Sequence, residues 1–136
     1  MRKSIILSLL SVFLLASACQ STAGDGGRLN PNMFSAKAKE LKNETILDVR
    51  TPGEYNEGFI ENAINVDWNG GGFDAYVAKL DKNKPVMVYC LAGGRSGAAA
   101  SRLKELGFKE VYDLAGGMMQ WKAAGMPVTN KKKVSH

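Results

Sequence analysis

The chain has 136 residues, enough for one packed domain, and its 45% hydrophobic and 23% charged residues are typical of a globular protein. These values exclude a collagen-like or intrinsically disordered chain. Part of the net charge of +5 lies at the two ends of the chain, and the remaining charges are mixed in sign along its body. Because no basic stripe with interleaved aromatic residues is present, we expect no nucleic-acid partner.

Residues 1–18 have the layout of a secretory signal peptide: a charged start, an apolar run over 5–16, and small residues just before Cys19. The run is shorter than the roughly 20 residues of a permanent membrane span. Residues 14–19 resemble the lipobox of bacterial lipoproteins, although Ala16 stands where leucine is usual. The resemblance implies that Cys19 is lipidated and anchors the protein to a membrane of the bacterial cell envelope. Ordinary cleavage at the same bond, giving a soluble periplasmic or secreted protein, stays open.

Composition predicts three further parts: a flexible tether over 19–28, one folded domain over 29–129 and a basic tail over 130–136. The predicted elements of the domain, in chain order, are a helix (31–42), a strand (45–50), a helical turn after Thr51, a strand (63–67), a helix (73–80), a strand (85–89), a helix (97–106), a strand (111–114) and a helix (118–124). This alternation predicts an α/β fold with a mainly parallel central sheet and helices on both faces.

Cys90 follows the clearest buried strand, at the sheet edge where α/β folds bind ligands. If Cys19 is lipidated, Cys90 has no partner for a disulfide in an oxidising compartment, which is typical of a reactive thiol. The only histidine is His136, in the predicted tail, so the sequence offers no neighbouring histidine as a general base.

The loop from Cys90 to Arg95 favours an anionic sulfur in three ways. It leads directly into a helix that we expect Ser96 to cap, so its amides face the positive end of a helix dipole. Gly93 and Gly94 permit a tight turn that points successive N–H groups inward. Arg95 adds a fixed positive charge. On these local grounds alone, a buried structural cysteine before a glycine-rich connector is an equally good interpretation.

Three motifs, in register, resemble the rhodanese family over residues 29–129. Residues 89–96 match the active-site loop, whose family pattern is C-x-x-G-x-R-S. Residues 47–66 match the N-terminal signature of the family, and residues 103–121 match its C-terminal part. The resemblance implies a single rhodanese-like domain that acts as a sulfurtransferase, without a metal or another cofactor.

The resemblance also implies residue roles. Cys90 would carry a sulfane sulfur as a persulfide, received from a small donor anion of the thiosulfate or polysulfide type and passed to a thiol or cyanide-like acceptor. The loop residues that would cradle this sulfur with their amides are Leu91, Ala92, Gly93, Gly94 and Arg95. Arg95 would also hold the loop by hydrogen bonds. Asp48 and Arg50 are expected to form a structural pair near the loop, and Met118 and Trp121 to belong to the core or the pocket rim.

Two departures from the family pattern are visible. Phe59 stands where histidine is common, at a position usually regarded as structural. Leu91 and Ala92 carry no charge, so thiosulfate is expected to be a poor donor. Four residues separate Cys90 from Arg95, one fewer than in the phosphatases of this fold, which favours a sulfur atom over a phosphate group. A non-catalytic binding module and a thiol relay through mixed disulfides are the alternatives.

Overall fold

The computed structural model describes residues 26–131, in which strands and helices alternate. The five strands are β1 (Gly26–Leu29), β2 (Thr45–Asp48), β3 (Ile64–Asn65), β4 (Val86–Tyr89) and β5 (Val111–Leu114). The five helices are α1 (Pro31–Glu40), α2 (Pro52–Glu57), α3 (Phe73–Val77), α4 (Gly94–Glu105) and α5 (Gly117–Ala123). The predicted signal peptide, Cys19, the tether up to residue 25 and most of the basic tail lie outside the described residues.

The strands form one parallel sheet in the order β1-β5-β4-β2-β3, which confirms the predicted fold class. β4 occupies the centre, and all four of its residues are buried. Its neighbour β2 is in register with it, so that Asp48 is paired with Tyr89. Because the strands are parallel, the residues that follow β2 and β4 emerge side by side at the carboxyl edge of the sheet.

Helices cover both faces of the sheet, as the alternating pattern predicted. Helices α1, α2 and α5 contribute to one core, with buried side chains that include Phe34, Tyr55, Met118 and Trp121. Helices α3 and α4 contribute to the other core, with Phe73, Val77, Ala99 and Leu103. Met118 and Trp121 therefore belong to the core, as expected, and Cys90 lies in the core on the α3–α4 face.

The domain begins earlier than the composition indicated. Residues 26–28, which we assigned to the flexible tether, belong to edge strand β1, in register with β5. Gly26 lies so close to β5 that an added Cβ would meet the backbone of Val111. Its glycine therefore serves a close approach between strands rather than flexibility, and the side chain of Arg28 extends the contact by an ion pair with Asp113 at 3.0 Å.

Candidate active site

Cys90 lies directly after the central strand β4, and helix α4 begins four residues later at Gly94. The residue is only 1% exposed, whereas Leu91, the next residue of the loop, is 40% exposed. The sulfur thus lies beneath its own loop, at the carboxyl edge of the sheet where the sequence placed it.

Two groups of the loop form hydrogen bonds with the Cys90 sulfur. The backbone N–H of Gly93 donates to Sγ at 3.1 Å. The thiol in turn donates to Oγ of Ser96, 3.4 Å away, and that hydroxyl donates to the carbonyl of Gly93 at 3.3 Å. Because a hydroxyl can rotate, Ser96 can also donate to the sulfur when the thiol loses its proton.

These contacts change the acidity of the thiol. Burial by itself raises the pKa of Cys90, but the hydrogen bonds outweigh it and hold the pKa below its ordinary value. The side chain of Ser96 is the largest of the lowering causes, followed by the backbone N–H groups of Ser96, Gly93 and Ala92. These contacts therefore stabilise the anionic form of Cys90 relative to an unperturbed thiol, and none of them comes from a histidine.

Ser96 has a different role from the predicted helix cap. Helix α4 begins at Gly94, and its N-cap is Gly93, which has a left-handed φ of 109° and provides no side-chain hydrogen bond. Ser96 is instead in the first turn, wholly buried, with its hydroxyl directed at the sulfur. The serine at the end of the C-x-x-G-x-R-S pattern was the signal that could have indicated this contact.

The backbone amides of the loop divide into two groups. Those of Ala92, Gly93 and Ser96 act on the sulfur itself. Those of Gly94 and Arg95 belong to the first turn of α4, where N–H groups have no acceptor within the helix. The predicted cradle is thus partly engaged with Sγ and partly available for a second atom bound to it. Among residues 26–131, no hydrogen bond joins the backbone N–H of Leu91 to the Cys90 sulfur.

Arg95 is paired with a residue that the sequence did not single out. Its guanidinium donates to both carboxylate oxygens of Glu54, with distances of 2.8 and 3.1 Å. The bond from Arg95 is the main cause that lowers the pKa of Glu54 to about 2, and the backbone and hydroxyl of Thr51 add to it. Arg95 thus fixes the start of α4 to α2 through charge-assisted hydrogen bonds to Glu54.

The second pair, Asp48 and Arg50, for which the sequence predicts a structural role, is a buried ion pair at the end of β2. Arg50 donates from Nη2 to Asp48 Oδ2 at 2.7 Å and from Nε to Oδ1 at 3.0 Å. Its Nη2 also donates to the carbonyl of Gly58 at 2.7 Å. The two residues are 0% and 4% exposed, and the guanidinium lies 5.7 Å from the centre of the Tyr89 ring.

Phe59, the departure from the family pattern, belongs to the core. Its ring stacks on that of Tyr55, with centroids 4.1 Å apart and planes inclined by 12°. Its backbone forms two hydrogen bonds with Thr129. These contacts are structural, and neither involves the loop of Cys90.

The start of α5 is hydrogen-bonded to the backbone of the Cys90 loop, a contact that the sequence did not indicate. The backbone N–H groups of Met118 and Met119 donate to the carbonyls of Cys90 and Leu91, at 2.8 and 3.0 Å. Gly117 has a left-handed φ of 57°, and an added Cβ would lie 2.4 Å from the Cys90 carbonyl oxygen. A glycine at this position therefore allows the close approach that fixes the carbonyls of the loop, leaving its amides to face the sulfur.

Within residues 26–131, no group of three or more acidic, cysteine or histidine residues could hold a metal ion. Within the same range, no helix is long and apolar enough to cross a membrane. Two surface cavities, of about 330 and 570 Å³, share no lining residue with the loop from Cys90 to Arg95.

Comparison with known proteins agrees with this geometry. The family model for the rhodanese-like domain matches residues 33–124. The chain is 46% identical over 78 residues to the thiosulfate sulfurtransferase GlpE of Coxiella burnetii, an alignment that covers 57% of this chain and 71% of that protein. It is similar to the crystal structure of a rhodanese-related protein from Thermoplasma volcanium, with a TM-score of 0.67, 32% identity, and coverage of 76% of this chain and 98% of that one.

A third relative has a different name. The chain is 40% identical over 81 residues to a tRNA uridine(34) hydroxylase of Pelagibacter ubique, covering 59% of this chain but only 27% of that protein. This likeness concerns one domain of a longer enzyme. The family match, the sulfurtransferase relative and the shared fold together show that the chain belongs to the family of rhodanese-like domains.

Proposed function

We propose that the domain is a sulfurtransferase that carries a sulfane sulfur as a persulfide on Cys90. The observation that supports this most strongly is the environment of Sγ. Gly93 N–H and the Ser96 hydroxyl engage the sulfur, and the pKa of the thiol is lowered even though the residue is buried. A thiolate is the nucleophilic form of cysteine.

In the first step, the Cys90 thiolate attacks the terminal sulfane sulfur of the donor. A new S–S bond forms to Sγ, and the S–S bond of the donor breaks with its electron pair leaving on the departing group. That group is sulfite when the donor is thiosulfate, and a thiolate when the donor is a persulfide or polysulfide. No external oxidant or reductant enters, because the transferred sulfur only changes partners.

The amides of the first turn of α4 fit the product of this step. A persulfide extends the side chain by one sulfur and places its negative charge on that outer atom. The N–H groups of Gly94 and Arg95 lack helical acceptors, and they lie at the positive end of the helix dipole. They are suited to bind the outer sulfur while Gly93 and Ser96 hold the inner one.

In the second step, an acceptor thiol or cyanide takes the outer sulfur and Cys90 leaves as a thiolate. The same contacts that lower the pKa of the thiol make it a better leaving group. The cycle thus needs no general base at Cys90 and no cofactor. The acceptor receives a sulfur without a net change in the redox state of the protein.

The test is to incubate the purified full chain with thiosulfate or with polysulfide, remove the donor, and measure the intact mass. We expect a gain of one sulfur that peptide mapping assigns to Cys90 and that is absent in Cys90→Ser. The variant must retain the native far-ultraviolet circular dichroism. If a folded native chain gains no sulfur at Cys90 from either donor, the domain is a binding module or a thiol relay, and the proposal is wrong.

We further propose that the domain is exported and tethered to a membrane of the bacterial cell envelope through lipid on Cys19. The lipobox-like residues 14–19 support this, and they lie outside the described residues. The test is expression in a bacterium with fractionation: the native chain is expected in the membrane fraction and Cys19→Ser in the soluble fraction. A native chain that is already soluble would contradict the lipid anchor and favour ordinary signal cleavage.

A further inference from the structure

The charges around the loop affect which sulfur donor the site accepts. This inference rests on the proposed sulfur transfer. Arg95 is the one cationic side chain in residues 90–96. Both of its terminal nitrogens donate to Glu54, so the end-on fork of the guanidinium is occupied by a carboxylate and is not open to an oxyanion. A bidentate pair of this kind is the contact that a sulfonate or phosphate would otherwise use.

A second carboxylate acts on the same arginine. The hydrogen bonds and charge of Glu54 raise the pKa of Arg95, and the charges of the Cys90 thiolate and of Asp67 act in the same direction. Asp67 lies at the start of a helical turn over 68–70 that packs against α4. Two carboxylates therefore act on one guanidinium beside the sulfur. A dianion such as thiosulfate meets no uncompensated cation at the loop, and repulsion from two carboxylates opposes its approach.

The rim of the loop is apolar. Leu91 is 40% exposed and Met119 is 57% exposed, and their backbones are joined by the 3.0 Å hydrogen bond from Met119 N–H to the Leu91 carbonyl. Ala92, between Leu91 and Gly93, is exposed and carries no charge either. An alkyl group next to a sulfane sulfur can pack on these side chains, whereas a sulfonate would lose water there without gaining a partner.

We propose that Glu54 and Asp67 set the donor specificity of the site, which accepts sulfur from an organic persulfide with an uncharged alkyl group in preference to thiosulfate. Glu54 does so by holding Arg95, and Asp67 by adding negative charge. In the step, the Cys90 thiolate attacks the outer sulfur of R–S–SH. The S–S bond of the donor breaks, R–S⁻ leaves, and Cys90 becomes the persulfide with the proton kept on its terminal sulfur.

The experiment compares two donors, thiosulfate and the persulfide of 2-mercaptoethanol, whose alkyl group is uncharged, on the full chain. The readout is the ratio of the rates at which each donor forms a persulfide on Cys90, measured by mass spectrometry of the Cys90 peptide. Because both reactions use the same thiolate, a change in its pKa cancels in the ratio. The native ratio of thiosulfate to persulfide rate is expected to lie below the ratio for free cysteine, a thiol that differs from the leaving group of the donor and corrects for donor reactivity.

Glu54→Gln frees Arg95 and is expected to raise this ratio about tenfold, equivalent to about 1.4 kcal/mol. Asp67→Asn keeps an oxygen to accept the hydrogen bond from Asn69 N–H, and it should raise the ratio by a smaller factor. Glu57→Gln removes the same charge from the same helix at an exposed position without a partner among residues 26–131, and it should leave the ratio unchanged.

The outcomes separate the two proposals. If folded Glu54→Gln and folded Asp67→Asn both keep the native ratio, or if the native ratio exceeds that of the free thiol, the specificity inference is overturned while sulfur transfer stands. If neither donor loads Cys90 in the native chain, sulfur transfer itself is wrong. Should Glu54→Gln fail to fold by thermal melting, Asp67→Asn decides the question.

Discussion

Two arginine–carboxylate pairs of this domain are both bidentate but lie in opposite surroundings. Asp48 and Arg50 are 0% and 4% exposed at the end of a central strand, and their remaining bonds go to the backbone. Glu54 and Arg95 have side chains 26% and 25% exposed, between α2 and the loop of Cys90. Breaking the buried pair is costly, because it leaves one charge out of water without a partner. Water weakens the half-exposed pair, so the charge of Glu54 or Arg95 can change at little cost in stability. The comparison assigns the first pair to the fold and the second to the site.

The largest expected effect comes from breaking the buried pair. Arg50→Met leaves the carboxylate of Asp48 buried without its partner, and this should lower the free energy of unfolding by about 3–5 kcal/mol. Urea denaturation of the full chain measures it. Arg102→Met, which breaks an exposed arginine pair with Asp74, is the matched control and should change stability little. Equal urea midpoints for the two variants would contradict the structural role of Asp48 and Arg50.

A smaller effect is expected where α5 supports the loop. Gly117→Ala places a Cβ against the Cys90 carbonyl at a left-handed φ, which should cost about 1–3 kcal/mol of stability and slow persulfide formation. Gly125→Ala is the control, because Gly125 has a φ of 72° and open space around it. It shares the backbone strain without the collision. If both variants form persulfide at the native rate, the contact between α5 and the loop does not matter for the site.

The acidity of the thiol is the next point to test. Ser96→Ala removes the main group that lowers the pKa of Cys90, so the pKa should rise and the thiolate fraction at neutral pH should fall severalfold. The rate of alkylation by iodoacetamide, measured against pH, reports this pKa. Ser101→Ala, on the exposed side of the same helix, should leave the profile in place. An unshifted profile for Ser96→Ala would show that the backbone amides alone set the pKa.

The smallest expected effect is on stability at the half-exposed pair. Glu54→Gln should lower the free energy of unfolding by no more than about 1 kcal/mol near neutral pH. Because folding lowers the pKa of Glu54 from 4.5 to about 2, its contribution is fully present above pH 4.5. It is lost as the pH falls through 2, and the native chain and the variant should converge there.

Urea midpoints at a series of pH values measure this difference, with Glu57→Gln as a control that should follow the native curve. A difference that stays constant down to pH 2 would show that the carboxylate of Glu54 is not what stabilises the pair. If Glu54→Gln lowered the free energy of unfolding as much as Arg50→Met does, the two ion pairs would not differ in their contribution to stability.

The features that the sequence predicted are those determined by residues close to one another along the chain. The central strand ending at Tyr89 is a continuous apolar run, and periodic apolar residues gave helices on both faces. The pairing of Asp48 with Arg50 is a contact between residues two apart. Local patterns of this kind determine the position of Cys90, because a strand end and a helix start suffice to place it.

What the sequence did not show depends on contacts between distant residues. Glu54 and Arg95 are 41 residues apart along the chain. From the sequence, Glu54 was predicted only to belong to a helical turn. The sequence indicated a flexible tether at Gly26 and a turn at Gly117, while in the structure each allows a close approach to another backbone. Ser96 fits both a helix cap and a contact to sulfur, and only the position at which α4 begins decides between them.

The measurement that tests the account most directly is the return of sulfur from Cys90. The full chain is loaded with sulfur, freed of donor and mixed with a thiol acceptor, while its intact mass and the persulfide of the acceptor are followed together. We expect Cys90 to lose one sulfur as the acceptor gains one, at a rate that rises with acceptor concentration. A sulfur that stays on Cys90 with acceptor present, or an acceptor that gains sulfur equally from Cys90→Ser, would contradict a persulfide carried by this loop.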